Sequence, residues 1–176
     1  PESASKISIV NPGAEIEEPV SEASVNGLRE NYDLKDKFIM TTVGRFVKRK
    51  GVDMVLLALP QIIKEIPEAR YVIIRQSPAE EYLKNLIAEL ELEPYVIMLS
   101  GLDRRTKDSW LSLSDVFVMP ARDIKGDYEG FGIVYLEANL LGTPVIAGHS
   151  GGVGDAVIDG LNGLQIDEED PADIAA

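Results

Sequence analysis

The sequence contains no cysteine and a single histidine among its 176 residues. Without cysteine, disulfide bonds and thiolate metal sites are excluded, and the composition is compatible with a reducing cytoplasm. One histidine, His149, cannot supply a multi-histidine metal site, and we predict no metal site in this chain. An isolated loop histidine is more often a polar surface residue than a catalytic one, so the role of His149 stays open.

Basic residues are also scarce: 17 lysines and arginines stand against 30 aspartates and glutamates, a formal net charge of −13. This balance argues against nucleic-acid binding, which needs a basic surface, and solubility is the main explanation of the acidity. An anionic ligand stays compatible if backbone amides and a few well-placed cations hold it. No apolar run approaches the ~18 residues of a membrane span, and the first residues do not resemble a signal peptide.

What the sequence does contain is an alternation of short apolar runs, rich in β-branched residues, with amphipathic helical stretches. Strands are predicted at residues 38–44, 69–75, 95–101, 115–120, 144–148 and 162–166, and helices at 52–66, 78–92, 105–114, 132–141 and 151–160. This pattern predicts an α/β fold with a doubly wound, mainly parallel, Rossmann-like sheet. Ligands of such sheets bind at the carboxyl ends of the strands.

The two ends of the chain are harder to interpret. Residues 7–19 are compatible with a short edge strand and a turn, residues 21–34 with a helix, and residues 167–176 with the start of another helix. Because the sequence begins without methionine and stops where a helix begins, we expect one domain over residues 1–176, truncated at both ends.

A first candidate site is the segment "GRFVKRKG", residues 44–51, between a predicted strand and a predicted helix. Amides at such a junction attract phosphate, helped by the helix dipole. Arg45 can form forked hydrogen bonds to phosphate oxygens, and Lys50 can act as a mobile point charge. Lys48 and Arg49 are interpreted as ordinary surface residues. The alternative is a solvated basic turn that binds no ligand.

A second candidate is "YEGFGIVYLEAN", residues 128–139, in which Glu129 and Glu137 stand eight positions apart. Eight helical residues span about 12 Å, whereas the two carboxylates of a glycosidase lie about 5 to 9.5 Å apart. The pair therefore does not fit hydrolysis, but it fits two carboxylates that hold hydroxyls at opposite ends of one ligand. Gly130 and Gly132 would let the amides of residues 131–134 face its anionic middle.

An alternative for the same segment stays open. Glu129 could cap the helix while Glu137 accepts a hydrogen bond from a buried backbone amide. The loop before Glu129 contains Asp123 and Asp127, which by themselves repel phosphate. A third segment, "HSGGVGDAV" at residues 149–157, forms either a rim of the same crevice or a tight turn without a ligand.

Four motifs in this order resemble a known family: "GRFVKRKGVDMVLLALPQI", "DVFVMPAR", "EGFGIVYLEANLLGTPVIAG" and "SGGVGDAVIDGLNGLQID". From about residue 7 onward the chain is similar to the C-terminal, donor-binding domain of family 4 retaining glycosyltransferases of GT-B fold. The residues of these motifs are most similar to those of the branch of GDP-mannose-dependent phosphatidylinositol mannosyltransferases. One departure is "RQSP" at residues 75–78, where the family commonly has a Gly-x-Gly turn.

The resemblance implies a role for each matching residue. Arg45 and Lys50 would hold the donor diphosphate and assist its departure, Glu129 would lie beside the transferred sugar, and Glu137 would bind the ribose. The backbone at Gly44, Gly130, Phe131, Gly132 and Ile133 would receive phosphate and sugar hydroxyls. The nucleobase would lie near residues 99–102.

The expected function is therefore transfer of a hexose, with retention, from a nucleotide diphosphate sugar to a lipid or saccharide acceptor. GDP-mannose is the favoured donor and a UDP-hexose the next, with neither cofactor nor metal. The acceptor would bind an N-terminal domain absent from this chain, so the chain alone would transfer little. We expect a cytoplasmic location, with peripheral membrane contact for a lipid acceptor. The alternatives are an epimerase or hydrolase of nucleotide sugars, and a non-catalytic nucleotide-sensing module.

Overall fold

The computed structural model describes residues 8, 10–75 and 81–176, and within them six strands form one sheet. The strands are β1 (Phe38–Gly44), β2 (Ala69–Arg75), β3 (Val96–Ser100), β4 (Val116–Met119), β5 (Val145–Ala147) and β6 (Leu164–Gln165). Their order in the sheet is β3-β2-β1-β4-β5-β6, and every neighbouring pair is parallel. The chain therefore adds β2 and β3 on one side of β1 and then returns to add β4, β5 and β6 on the other side. The order of the strands changes direction between β1 and β4.

Helices cover both faces of this sheet. They are α1 (Glu22–Asn31), α2 (Val52–Glu65), α3 (Glu81–Glu89), α4 (Arg104–Leu113), α5 (Ile133–Leu140), α6 (Val153–Ala156) and α7 (Pro171–Ala175), with a 3₁₀ turn at Lys48–Lys50. Side chains of α1, α4, α5 and α6 share one hydrophobic cluster. Those of α2, α3 and α7 share a second cluster on the opposite face. This is the two-sided cover that a parallel sheet requires.

The core explains why the strands read as continuous apolar runs. All four residues of β4 are buried, and Phe117 of this strand meets Tyr135 of α5 edge to face, with ring centroids 5.7 Å apart. Trp110 of α4 is fully buried in the same cluster. Each large side chain so buried contributes about 1.5–3 kcal/mol, so these contacts hold α4 and α5 firmly against the sheet.

Gly51 joins the 3₁₀ turn to α2 at a close approach of two chain segments. Its φ is 71°, a left-handed conformation that glycine adopts without steric cost. A β-carbon at this position would overlap the carbonyl oxygen of Pro120 and lie 2.8 Å from its Cγ. Glycine therefore lets the loop after β1 lie against the loop after β4.

The doubly wound parallel fold predicted from the sequence is confirmed. β1 and β2 have the predicted bounds, and β3, β4 and β5 are each one residue shorter at either end. The predicted helices around α1, α2, α4, α5 and α7 are present. Helix α3 covers Glu81–Glu89, whereas residues 76–80, which include most of the "RQSP" departure, lie outside the described residues.

Four predictions of secondary structure are wrong in extent or existence. The helix predicted at 78–92 ends at Glu89, three residues early. The helix predicted at 151–160 is confined to Val153–Ala156, because Asn162 accepts from the Ile158 amide at 2.7 Å and donates to the Ala156 carbonyl at 2.9 Å. The strand predicted at 162–166 is limited to Leu164–Gln165. No strand is present in residue 8 or residues 10–19, the described part of the predicted N-terminal edge strand.

Candidate functional site

The candidate site lies at the carboxyl ends of β1 and β4, neighbours in the sheet whose following helices pack on opposite faces. The chain leaves β1 toward α2 on one face and leaves β4 toward α5 on the other. In doubly wound sheets this switch of direction opens the crevice in which ligands bind. Both sequence segments that we singled out, residues 44–51 and 128–139, meet here.

Two adjoining cavities fill the crevice. The β1–α4 cavity measures about 270 Å³ and is lined by Val43, Ile74, Leu102, Asp103, Arg104, Lys107 and Glu137. The β1–α5 cavity measures about 290 Å³ and adds residues of the basic turn and of the first turn of α5. Val43, Lys107 and Glu137 line both. Each cavity approaches the ~300 Å³ at which small-molecule pockets begin, so one extended ligand could occupy the pair.

The basic turn places two predicted cations at the β1–α5 cavity. Lys50 is largely buried, with 11% of its side chain exposed, and its Nζ lies 2.5 Å from Oε2 of Glu129. Its aliphatic chain passes Gly44, where a β-carbon would lie 3.6 Å from Lys50 Cε. Arg45 is exposed and lines the same cavity. The structure thus brings Gly44, Arg45, Lys50 and Glu129 together.

Arg49 corrects the sequence prediction, which placed it among ordinary surface residues. Its side chain is only 12% exposed, with Nη1 donating to Oε2 of Glu129 at 2.7 Å and Nε 3.1 Å from Oδ1 of Asp127. Lys48 is exposed as predicted, with its ammonium 5.5 Å from the centre of the Tyr82 ring. The 3₁₀ turn determines which cation enters the crevice, and the sequence did not reveal that turn.

A hydrogen bond and an ion pair orient the acidic loop before Glu129. The Asp123 carboxylate accepts from the Gly126 amide at 2.6 Å and so closes a turn within the loop. Asp127 is engaged by Arg49. Both aspartates therefore have local partners. Arg49, which the sequence interpretation had assigned to the surface, partly offsets the repulsion that these aspartates would exert on a phosphate.

Glu129 is a buried carboxylate between two cations. Burial opposes its ionisation, but hydrogen bonds and charge from Lys50 and Arg49 outweigh burial and hold the pKa of Glu129 below its ordinary value. Glu129 is therefore ionised at neutral pH. Burial, reinforced by the Glu129 charge, raises the pKa of Tyr135, so its phenol stays protonated and donates to the Met119 carbonyl at 2.7 Å.

The first turn of α5 supplies backbone donors at the β1–α5 cavity. Gly132 precedes it with φ 82° and ψ 60°, and a β-carbon there would overlap the ring of Tyr135. Helix geometry leaves the first amides of α5 without an intrahelical acceptor, and Gly132, Ile133 and Val134 line the cavity. Gly130 and Phe131 precede this turn, but Phe131 packs on the hydrophobic core instead.

The alternative in which Glu129 caps α5 and Glu137 serves a backbone amide is wrong. Among the described residues, α5 has no side-chain cap, and Glu129 pairs with the basic turn. Oε2 of Glu137 lies 2.8 Å from Nζ of Lys107 on α4. The two glutamates line one cavity but pair with different cations, consistent with separate roles.

Lys107 is a second residue that the sequence interpretation missed. Its side chain is 15% exposed, and its ammonium lies 3.2 Å from Oδ1 of Asp108 as well as beside Glu137. The signal available in the sequence was Asp103, whose carboxylate caps α4 by accepting from the Thr106 amide at 2.7 Å. That cap starts the helix shortly after β3 ends and puts Lys107 at its fourth residue, close to the crevice.

A buried ion pair between Arg122 and Asp53 lies next to the basic turn and supports it. Nη2 of Arg122 lies 2.6 Å from Oδ2 of Asp53, and both side chains are about nine-tenths buried. The amide of Arg122 donates to the carbonyl of Arg49 at 2.8 Å. This contact ties the loop after β4 to the turn that presents Arg49 and Lys50. The sequence predicted no role for either residue of the pair.

The Ser-Gly-Gly turn supports the loop that carries Glu129 without lining either cavity. The amide of Gly152 donates to the carbonyl of Glu129 at 2.9 Å. His149 is 57% exposed, and its Nδ1 lies 3.0 Å from the carbonyl of Ile166. His149 is therefore placed at the surface, as a lone loop histidine is expected to be.

In the part of the chain that the structure describes, no group of three or more His, Asp and Glu side chains is arranged to hold a metal ion. No described helix is long and apolar enough to cross a bilayer. Metal independence and cellular location stay predictions.

Comparison with known proteins gives a family match over most of the chain. A family model described as "Glycosyl transferases group 1" matches residues 26–176. Among curated proteins, the GDP-mannose-dependent alpha-(1-6)-phosphatidylinositol monomannoside mannosyltransferase of Mycolicibacterium smegmatis is 37% identical over 145 residues. The match covers 81% of this chain and 38% of that protein, so the chain spans about two fifths of this relative's length.

Solved structures give the same fold. The Anabaena protein Alr3699/HepE in complex with UDP-glucose aligns with a TM-score of 0.76 at 24% identity, over 88% of this chain and 42% of that one. WaaG, a glycosyltransferase involved in lipopolysaccharide biosynthesis, aligns with a TM-score of 0.77 at 22% identity, over 93% of this chain and 44% of that one. The Rossmann-like half of a GT-B fold is thereby confirmed.

Proposed function

Because the chain belongs to the group 1 glycosyl transferase family, we propose that it is the donor-binding domain of a retaining hexosyltransferase. The observation that carries the proposal is the convergence of Arg45, Lys50 and the first turn of α5 on one cavity at the switch point of the sheet. Fixed cations together with a helix N-terminus form the surroundings that a diphosphate needs. The ligand is thus a nucleotide diphosphate sugar.

The diphosphate is the leaving group of the proposed transfer. The bond between the anomeric carbon and the diphosphate oxygen breaks, and its electron pair stays on the diphosphate. The oxygen of the acceptor hydroxyl forms the new bond to the anomeric carbon, and the hydroxyl proton passes to the departing diphosphate. Arg45 meets that charge with forked hydrogen bonds, Lys50 with a single ammonium and α5 with backbone amides. One preorganised donor of this kind is worth about 100- to 1,000-fold in rate, and none of these groups requires a metal or cofactor.

The two glutamates hold the ends of the donor in this proposal. Glu129 is assigned to the transferred sugar, Glu137 to the ribose, and the backbone at Gly44, Gly130, Phe131, Gly132 and Ile133 to phosphate and sugar hydroxyls. Support comes from the position of Glu129 beside Lys50 and of Glu137 at the junction of the two cavities. Leu102, which lines the β1–α4 cavity but not the β1–α5 cavity, marks the proposed nucleobase side.

GDP-mannose is the proposed donor, with a UDP-hexose as the second candidate. The mannosyltransferase relative is GDP-mannose-dependent by name, whereas the Anabaena structure contains UDP-glucose. Calorimetric titration of the chain with GDP, UDP and ADP, followed by their hexose conjugates, tests the choice. We expect GDP to bind at least fivefold more tightly than UDP, and equal or weaker binding of GDP would remove the mannose assignment.

The acceptor is proposed to be a lipid or saccharide, bound by the N-terminal domain that GT-B architecture implies. We place the reaction in the cytoplasm, at the inner face of the membrane when the acceptor is a lipid. Product analysis of the full-length enzyme separates transfer from its alternatives. A new glycosidic bond supports transfer, whereas a free epimerised nucleotide sugar or a free sugar would assign an epimerase or a hydrolase.

The sensing alternative has its own test. In the full-length enzyme, Glu129→Ala should lower hexosyl transfer at least 100-fold if Glu129 acts beside the sugar. A nucleotide sensor would still bind GDP, but its turnover would not depend on Glu129. Unchanged turnover together with retained GDP binding would therefore contradict the transferase proposal and support the nucleotide sensor.

A further inference from the structure

Lys107 occupies a distinctive position between two helices at the crevice. It is the fourth residue of α4, and its ammonium contacts Oε2 of Glu137 on α5 at 2.8 Å. Oδ1 of Asp108 approaches the same ammonium at 3.2 Å. The side chains of Lys107 and Glu137 are only 15% and 18% exposed. The ammonium is thus held on two sides and is partly shielded from water.

This contact determines what Glu137 can offer a ligand. The ion pair uses Oε2 of Glu137, and within the described residues no hydrogen bond is made to its Oε1. Both Lys107 and Glu137 line the two adjoining cavities. A glutamate side chain that is not held samples many rotamers, and ordering it costs binding free energy. Lys107 fixes the carboxylate in advance and leaves one oxygen for a donor hydroxyl.

We propose that Lys107 is the positioning residue that orients Glu137 toward the ribose hydroxyls of the nucleotide donor. The inference rests on the proposed function and deepens it. Lys107 acts through Glu137, so its contribution should exist only when the ligand carries the hydroxyls that Glu137 binds. A lysine that merely ties α4 to α5 would instead affect every nucleotide equally.

Calorimetry with two probes, GDP and 2′,3′-dideoxy-GDP, tests this distinction. A hydrogen bond to an ionised group is worth about tenfold or more in affinity, so wild type should bind dideoxy-GDP at least tenfold more weakly. Lys107→Met should weaken GDP about five- to tenfold while binding of dideoxy-GDP changes less than twofold. Lys107→Arg, which keeps the cation, should recover most of the loss. Lys84→Met, on exposed Lys84 of α3, serves as the matched control and should change neither.

The outcomes separate the inference from the function beneath it. Retained binding of dideoxy-GDP shows that a variant is folded. If Lys107→Met weakens both probes alike, or neither, the positioning role is overturned while the donor site stands. If wild type binds both probes equally, Glu137 does not hold the ribose and the inference falls. If wild type binds neither GDP nor UDP, the proposed function falls and takes the inference with it.

Discussion

Arg49 and Lys50 are neighbours in sequence that approach one carboxylate from the same 3₁₀ turn. Both contact Oε2 of Glu129, at 2.7 and 2.5 Å, and Arg49 also reaches Asp127. These cations offset the charges of Asp127 and Glu129, two residues of the acidic loop that lies beside the proposed phosphate site. In the proposed donor site, Arg49 would therefore act on ligand binding through the loop, while Lys50 would touch the ligand itself.

Arg49→Met should weaken GDP binding about tenfold. The substitution leaves Glu129 and Asp127 facing the crevice with one cation fewer, and the loss of one close pair is typically worth about 1–2 kcal/mol at this burial. Calorimetric titration measures the effect. Lys48→Met is the matched control, since it removes a neighbouring cation that is exposed. Equal losses in the two variants would mean that general charge, rather than the Arg49 contacts, determines affinity.

The lowered pKa of Glu129 makes part of the folding stability depend on pH. A carboxyl whose pKa is lower in the folded than in the unfolded state adds stability above its unfolded pKa, about 4.3. That contribution disappears as pH falls through the folded value. Urea unfolding of wild type and Glu129→Gln should therefore differ by a constant amount between pH 6 and 8, with wild type gaining from the ion pairs.

Below about pH 4 the difference between wild type and Glu129→Gln should shrink. Glu65→Gln, at an exposed residue at the end of α2, serves as the control substitution. A difference that stays constant or grows toward pH 3 would contradict the ionised, doubly paired state of Glu129.

The position of helix α5 depends on the contacts at its first residues. Its entry residue, Gly132, combines a left-handed backbone with direct contact to the Tyr135 ring, and Tyr135 in turn anchors the helix to β4 through the Met119 carbonyl. The position of the amides that line the cavity is therefore fixed by packing beneath them. No side chain of the described residues caps the helix, which leaves its first turn available to an anion.

Gly132→Ala should destabilise the fold and impair GDP binding. An alanine in the left-handed region costs about 1–2 kcal/mol, and displacement of the Tyr135 ring adds to that cost. Gly142→Ala is a matched control, because Gly142 has the same φ of 82° but open space around its β-carbon position. Urea unfolding should show a smaller loss for Gly142→Ala, and calorimetry should show a GDP defect for Gly132→Ala alone. Equal behaviour would mean that strain, not the Tyr135 contact, matters.

The sequence predicted elements better than the contacts between them. The runs at β1 and β2 are rich in apolar and β-branched residues and are bounded by polar or glycine residues, so their limits were found correctly. The helix at 151–160 was overestimated because Asn162, a residue beyond it, replaces helical hydrogen bonds at Ile158 and Ala156. Such a side-chain contact leaves no periodic signal in the sequence.

The residues of the candidate site show the same contrast between local patterns, which the sequence reveals, and long-range contacts, which it does not. Arg45, Lys50, Glu129 and Glu137 could be found because they belong to local motifs at strand ends. Lys107 and Glu137 are thirty positions apart, and Arg122 meets Asp53 across sixty-nine. Pairs at that separation depend on which helices become neighbours across the sheet, which no local pattern reports.

Across the whole molecule, a few cations cluster at one cavity of a protein whose net charge is −13. Six parallel strands bring the loops after β1 and β4 side by side, and the strand order rather than any single loop creates the crevice. Ligand binding there should therefore stabilise the entire domain, because both loops are attached to the central strands of one cooperative sheet.

GDP should raise the melting temperature of the chain. At a free ligand concentration of 100 times Kd, binding adds about 2.7 kcal/mol, which corresponds to about 5–10 °C for a domain of this size. Differential scanning calorimetry measures the shift. In the double variant Arg45→Met/Lys50→Met the shift should vanish at the same concentration, and an undiminished shift would place GDP elsewhere on the molecule.

The contrast between a net charge of −13 and the cations buried at the crevice has a kinetic consequence. In the proposed site, a nucleotide diphosphate would approach through the repulsive field of the whole surface, yet exposed Arg45 and the more sheltered Lys50 would hold it at short range. Added salt screens the long-range repulsion far more than the sheltered contacts. Association should therefore accelerate with ionic strength while dissociation changes little, the reverse of the behaviour of ligands steered by opposite charge.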